Sequence, residues 1–188
     1  MSKGDFVVDM EQIKKRAREH MQDGAVSSTY SANREAVVKV LNDALATELV
    51  CVMRYKRHHY MAKGINSEPV AQEFLEHANE EMEHADRISK RIVQLGGEPD
   101  YNPATLVKRS NSQYVEGSTL LEMVKENLVA ERIAIDTYRE IVKYFGDDDS
   151  TSRRLMESIL EKEEEHADDM SNLLEKLGGR QSNGGKNN

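Results

Sequence analysis

The sequence contains the stretch EEMEHAD at residues 80–86 and the closely similar stretch EEEHADD at residues 163–169. Each contains a glutamate three residues before a histidine: Glu81 with His84, and Glu163 with His166. On an α-helix, side chains at positions i and i+3 point to the same side, so each pair can contact a common ion. The repeated Glu-x-x-His pattern therefore indicates two helices that present metal ligands.

Four long segments with the hydrophobic periodicity of α-helices make up most of the chain. Asn33 and Thr119 are predicted N-caps, and Glu122 completes a capping box with Thr119. Gly-Gly pairs at 96–97 and 178–179 predict the ends of the second and fourth helices. The predicted helices span residues 33–63, 67–96, 119–145 and 150–178.

The connections between these helices predict how they pack. Short links join the first helix to the second and the third to the fourth, which makes each pair antiparallel. Residues 97–118 are long enough to run the length of a bundle, with a short helix predicted in PATLVKRS at 103–110. We therefore predict an all-α fold, a four-helix bundle with one long crossover between its second and third helices. The predicted parts are an N-terminal extension with a short helix (1–30), the bundle (31–178) and a disordered tail (179–188).

Each predicted helix carries an apolar seam that is interrupted by one glutamate near its middle. The lone glutamates of the first and third helices precede the Glu-x-x-His pairs by 33 and 32 residues, so the two halves form a weak internal repeat. The acids should converge at one level of the core. They are Glu48, Glu81, Glu131 and Glu163.

These acids have two interpretations. An ordinary Glu-rich helix has a solvated acidic face, but acids on the buried seams would carry a large desolvation cost and repel one another. Two divalent metal ions bridged by carboxylates would neutralise four negative charges, and His84 and His166 would complete the ligand set. This donor set suits iron, with manganese as the alternative, whereas a structural zinc site more often recruits thiolates.

From these residues the chain resembles the ferritin-like superfamily, and bacterioferritins most closely, over roughly residues 33–177. The resemblance implies that Glu81 and Glu163 bridge two metal ions and that Glu48 and Glu131 are terminal ligands. It also implies a role for Tyr55, seven residues after Glu48, for which a purely structural place in the core is the alternative. The implied catalytic and metal-binding residues are Glu48, Glu81, His84, Glu131, Glu163 and His166, with Tyr55 beside them.

Bacterioferritins also bind haem between two subunits through a methionine directly after the second-helix glutamate, and Met82 occupies that position. The resemblance thus implies haem b at a subunit interface, and simple packing of Met82 is the alternative. His58, His59 and His77 lie one turn from the seam residues and are interpreted as structural, with a peripheral metal role as the alternative.

The activity implied by the resemblance is oxidation of Fe(II) by O2 or H2O2, followed by storage of Fe(III) as mineral inside a hollow shell. Bacterioferritins assemble from 24 subunits and usually carry a short fifth helix, where this chain has a Gly- and Asn-rich tail. The longer crossover and N-terminal extension resemble the twelve-subunit Dps-type shells. We therefore expect self-association into a shell of 12 or 24 subunits.

Composition limits the other functions. A net charge of −8 argues against a generally basic nucleic-acid surface, and the tail offers only Arg180 and Lys186 to DNA. No membrane span or signal peptide is predicted, and Cys51, the single cysteine, favours a cytoplasmic location. The alternatives are a rubrerythrin-like peroxidase or manganese catalase without storage, and a Dps-like DNA-protecting shell protein.

Overall fold

The computed structural model describes residues 7–64 and 67–183, and every regular element in those ranges is helical. Four long helices form the bundle, as the sequence predicts. Two short helices and one 3-10 turn accompany them. The elements are α1 (Met10–Arg16), a 3-10 turn (Met21–Asp23), α2 (Arg34–Met61), α3 (Ser67–Gln94), α4 (Leu106–Arg109), α5 (Leu120–Phe145) and α6 (Ser150–Asn183).

The predicted helix starts are confirmed by their caps. The Asn33 side chain accepts a hydrogen bond from the backbone N–H of Ala36 at 3.1 Å. Thr119 Oγ1 accepts from the N–H of Glu122 at 3.2 Å, and the Glu122 carboxylate accepts in return from the N–H of Thr119. This capping box satisfies N–H groups that the first turn of α5 leaves without helical partners.

The helix ends agree less closely with the sequence prediction. After α3, Gly96 has a φ of +75°, and the N–H of Gly97 bonds to the carbonyl of Ile92, so this Gly-Gly pair does end a helix. The second pair does not, because α6 passes through Gly178 and Gly179 and ends at Asn183. Glycine costs only about 1 kcal/mol in a helix and removes no backbone hydrogen bond. Residues 184–188 of the predicted tail lie outside the described residues.

The bundle is built from two helix pairs, α2 with α3 and α5 with α6, which meet through α2–α5 and α3–α6 contacts. The crossover packs on the remaining side of α2, where Leu106 of α4 contacts Ala46 and Val50. The Asn42 side chain fixes the crossover further: its amide donates to the carbonyl of Glu98 and its oxygen accepts from the N–H of Asp100. As a result the middle of α2, from Ala44 to Glu48, is buried on every side.

The end of the N-terminal extension is held at the start of α6. Tyr30 donates its hydroxyl to Asp149 at 2.7 Å, and Arg91 of α3 donates to the same carboxylate at 2.8 Å. None of the helices in the described ranges combines the length and the apolar character needed to cross a bilayer.

Candidate metal centre

Six predicted ligands meet in the middle of the bundle, each no more than 3% exposed. They form two overlapping groups whose ligand atoms lie within 4.8 Å of one another. Glu81 of α3 and Glu163 of α6 belong to both groups, as expected for bridging carboxylates. The first group adds Glu48 and His84, and the second adds Glu131 and His166.

In the first group, three carboxylates surround one imidazole nitrogen. His84 Nδ1 lies 3.1 Å from Glu48 Oε2, 3.1 Å from Glu163 Oε1 and 3.5 Å from Glu81 Oε2. In the second group, His166 Nδ1 lies 3.5 Å from Glu81 Oε1 and 3.7 Å from Glu163 Oε2. In both groups the Nδ1 atom therefore faces Glu81 and Glu163, the two carboxylates that the groups share.

Several ligand atoms have no hydrogen-bond partner among the described residues: Glu81 Oε1, Glu131 Oε2 and His166 Nδ1. Buried polar atoms in native proteins are normally paired, so a group of unpaired atoms that face one another needs an explanation. Two cations between the four helices would supply the missing partners. The donor set of four carboxylates and two imidazoles thus fits a dinuclear centre for iron or manganese.

The charges of the cluster shift the protonation of its members. Burial raises the pKa of Glu48 well above its usual value, and the charges of Glu81 and Glu163 raise it further. Burial has the same effect on the pKa of Glu131. Burial alone would lower the pKa of His84, but the surrounding carboxylates raise it. Without metal, protons on Glu48, Glu131 and His84 therefore reduce the negative charge of the buried cluster.

Tyr55 lies beside the cluster and donates its hydroxyl to Glu131 Oε1. His77 Nδ1 lies 3.1 Å from the same hydroxyl. The tyrosine thus holds Glu131, which belongs to the second group alone, from a different helix, and the role of Tyr55 in the reaction stays a prediction.

Tyr138 is a neighbour of the cluster to which the sequence analysis assigns no role. Its hydroxyl donates to Glu48 Oε1. Tyr138 follows Glu131 by seven residues, just as Tyr55 follows Glu48 by seven. The shared offset is the signal that would have identified it, because the internal repeat predicts a second tyrosine at this distance.

Met82 is 40% exposed on α3. Its side chain is accessible in the single chain, and haem binding at this position stays a prediction. His58 and His59 do not join the cluster. His58 contacts Asn127 Oδ1 and the carbonyl of Glu116, and His59 Nδ1 lies 2.7 Å from the carbonyl of Ala71.

Known proteins resemble the chain in both sequence and structure. A family model of the ferritin-like domain matches residues 38–179. The bacterioferritin of Mycobacterium leprae is 32% identical over 143 residues, which cover 76% of this chain and 86% of that protein.

Two solved structures share the fold over most of their length. The dodecameric thioferritin of Bacteroides fragilis, a bacterioferritin-related protein, superimposes with a TM-score of 0.78 at 28% identity and covers 84% of this chain and 94% of its own. The bacterioferritin of Desulfovibrio desulfuricans, with a diiron site seen in different catalytic states, gives a TM-score of 0.69 at 27% identity, over 79% of this chain and 85% of its own. The chain belongs to the ferritin-like domain family, and bacterioferritins are among its relatives.

Proposed function

We propose that the protein stores and detoxifies iron, and that each bundle oxidises Fe(II) at the six-residue cluster before Fe(III) is deposited in a hollow shell. The observation that carries this proposal is the pair of overlapping ligand groups that share Glu81 and Glu163. The similarity to bacterioferritins, including one with a diiron site, supports iron as the metal.

Iron is the substrate of this reaction and supplies the electrons. Two Fe(II) ions release one electron each, and one H2O2 takes up both electrons with two protons to form two water molecules. With O2 as the oxidant, the same two electrons and two protons give H2O2. Oxidation at a carboxylate-rich site is favourable because hard anionic oxygen ligands stabilise Fe(III) more than Fe(II).

The side chains of the cluster would have different roles in binding the two irons. Glu81 and Glu163 would hold both irons close to each other, so that one oxidant molecule reaches two electron donors. Glu48 and Glu131 would each bind one iron while a tyrosine hydroxyl fixes one of their oxygens. His84 and His166 would complete the set as neutral ligands, after releasing the protons that they hold without metal.

The storage function requires a closed assembly, and we propose a shell of 12 or 24 subunits. The dodecameric relative from Bacteroides fragilis supports the smaller number. Met82 would give such an assembly a haem ligand, and haem extracted from the purified protein would test this. The alternative of a DNA-protecting shell protein, for which the tail offers only Arg180 and Lys186, is tested by a gel shift at low and at physiological salt.

The test measures particle size by light scattering, before and after aerobic Fe(II) loading, together with iron per subunit on the same sample. We expect a large assembly that holds far more than two irons per subunit. A small oligomer that stops at two metals would contradict storage and favour the peroxidase alternative.

A pair of neighbouring glutamates provides the matched control. Glu163→Gln removes a carboxylate that belongs to both ligand groups, whereas Glu164→Gln makes the same change at an exposed position that pairs with Arg139. We expect Glu163→Gln to lose rapid Fe(II) oxidation and Glu164→Gln to retain it. Equal rates in the two variants would show that oxidation happens outside the cluster.

A further inference from the structure

A third group of side chains that could bind a metal ion lies at the edge of the bundle, outside the six-residue cluster. It consists of Glu73 and His77, one turn apart on α3, and Asp169 of α6. One ligand atom from each lies within 4.8 Å of the others. The His77 side chain is 3% exposed, while those of Glu73 and Asp169 are 33% and 49% exposed. The group is therefore buried on the imidazole side and open to solvent on the carboxylate side.

Hydrogen bonding determines which nitrogen of His77 carries its proton. Tyr55 donates its own hydroxyl hydrogen to Glu131, so the hydroxyl oxygen is an acceptor toward His77 Nδ1 at 3.1 Å. His77 must then donate from Nδ1, and a neutral ring has its lone pair on Nε2.

That lone pair points at two carboxylates. His77 Nε2 lies 3.6 Å from Glu73 Oε1 and 3.6 Å from Asp169 Oδ2, which is beyond hydrogen-bond distance for both. Within the described part of the chain this nitrogen has no hydrogen-bond partner. Three electron-rich atoms from two helices thus surround one point without a positive charge between them.

The spacing of these atoms suits one metal ion. Two ligand atoms bound to a tetrahedral ion at about 2.1 Å lie about 3.4 Å apart, close to both measured separations. One imidazole and two carboxylates are typical ligands of Fe(II), Co(II) and Zn(II), whereas Mg(II) and Ca(II) prefer oxygen ligands alone. We propose that Glu73, His77 and Asp169 bind one divalent transition-metal ion, as a third site in each subunit.

This third site adjoins the dinuclear cluster without sharing a ligand with it. The ring of His77 stacks on the ring of His166, with 4.0 Å between centroids, and its Nδ1 reaches Glu131 through the Tyr55 hydroxyl. An ion here would sit between solvent and the buried cluster. Its binding does not depend on whether the cluster oxidises iron.

The test counts Co(II) bound by the assembled full-length protein, using equilibrium dialysis and visible absorption. Asp169→Asn removes one ligand of the third site, and Asp168→Asn makes the same change at the preceding, exposed residue. We expect Asp169→Asn to bind one Co(II) per subunit fewer than wild type, and Asp168→Asn to bind the same number. His77→Gln, whose amide can still donate to Tyr55, should lose the same ion.

An anomalous difference map of Co(II)-soaked crystals locates the ion, and we expect a peak between His77 Nε2 and the two carboxylates. The proposal is overturned if Asp169→Asn binds as much Co(II) as wild type, if both aspartate variants lose the same amount, or if the map is empty at this point. Glu163→Gln should lose the ions of the dinuclear cluster but keep the peak at the third site. The third site can therefore be confirmed or rejected independently of the proposed iron oxidation.

Discussion

Tyr138 donates its hydroxyl to Glu48, which lies 90 residues earlier in the chain and on a different helix. Tyr55 in turn donates its hydroxyl to Glu131, which lies 76 residues later in the chain. Each half of the internal repeat therefore supplies a tyrosine that holds the lone glutamate of the other half. Because burial raises the pKa of both phenols well above the usual value, both remain protonated and act as donors.

Replacement of Tyr138 by Phe should destabilise the metal-free protein. The change leaves Glu48 Oε1 buried without its donor, and an unpaired buried acceptor costs about 1–3 kcal/mol. We expect Tyr55→Phe to have a similar effect through Glu131. The measurement is urea unfolding of the metal-free protein, with Tyr144→Phe at an exposed position as the control. A change of only a few tenths of a kcal/mol in the two buried variants would mean that the reciprocal bonds add nothing to stability.

Metal binding should stabilise the folded protein, and the stabilisation should fall with the number of ligand groups that a mutation disrupts. One site stabilises the native state by about 2.7 kcal/mol when the free ion is at 100 times its dissociation constant. Glu48 belongs to one group and Glu163 to both. We therefore expect the Co(II)-induced rise in unfolding midpoint to be largest in wild type, smaller in Glu48→Gln and smallest in Glu163→Gln. Equal losses in the two variants would contradict the bridging role of Glu163.

Arg54 should be important for the attachment of the crossover to α2. Its guanidinium is fully buried and donates to Asn127 Oδ1 at 2.9 Å, to Ser112 Oγ at 2.9 Å and to the carbonyl of Gln113 at 3.0 Å. Arg54→Met keeps much of the volume but removes all three hydrogen bonds, and it leaves the oxygens of Ser112 and Gln113 without this donor. We expect a loss of about 3 kcal/mol in the free energy of unfolding.

The control for Arg54 is Arg57→Met, three residues further along the same helix. Arg57 donates to the carbonyl and carboxylate of Glu116 in a solvent-accessible pair, which is worth less than about 1 kcal/mol. Hydrogen exchange of the amides in residues 110–117 would show whether the crossover loosens in Arg54→Met. Similar destabilisation in both variants would contradict a special role for the buried guanidinium.

The sequence predicts the bundle well because each helix carries its own signals. The cap at Asn33, the capping box at Thr119 and the period of the apolar seams depend on residues a few positions apart. The convergence of Glu48, Glu81, Glu131 and Glu163 follows from the same periodicity, since a polar residue in the middle of a buried seam needs a partner.

Features that depend on long-range contacts could not be predicted in this way. Arginine is usually exposed, and Arg54 is buried here by long-range contacts with Asn127 of α5 and with residues 112–113 of the crossover. The hydrogen bond of Tyr138 joins helices from opposite halves, so the seam identifies the residue but not its partner. The continuation of α6 beyond Gly178 was also missed. A Gly-Gly pair predicts a helix end, but each glycine lowers helix stability by only about 1 kcal/mol, which is too little to end the helix by itself.

Asp149 makes the attachment of the N-terminal extension sensitive to acid. Its carboxylate accepts hydrogen bonds from Tyr30, Arg91 and the N–H and hydroxyl of Ser152. Burial alone would raise the pKa of Asp149, but these hydrogen bonds and the charge of Arg91 bring it below its usual value. A carboxyl group with a lower pKa in the folded state stabilises the fold above its unfolded pKa, about 3.9, and this contribution is lost as the pH falls through the folded pKa.

Asp149→Asn should therefore destabilise the protein by about 2 kcal/mol or more near pH 7, because a buried Arg91 loses its charged partner. The difference from wild type should stay constant down to about pH 5 and shrink below about pH 4, where the carboxyl group of the unfolded wild-type chain takes up a proton. It should disappear as the pH falls through the lower pKa of the folded state. Urea unfolding of both proteins across this range measures it, with Asp147→Asn as the control because Asp147 pairs with Arg153 at an exposed position. A difference in the free energy of unfolding between the two proteins that stays constant to pH 3 would show that the charge of Asp149 does not hold the extension.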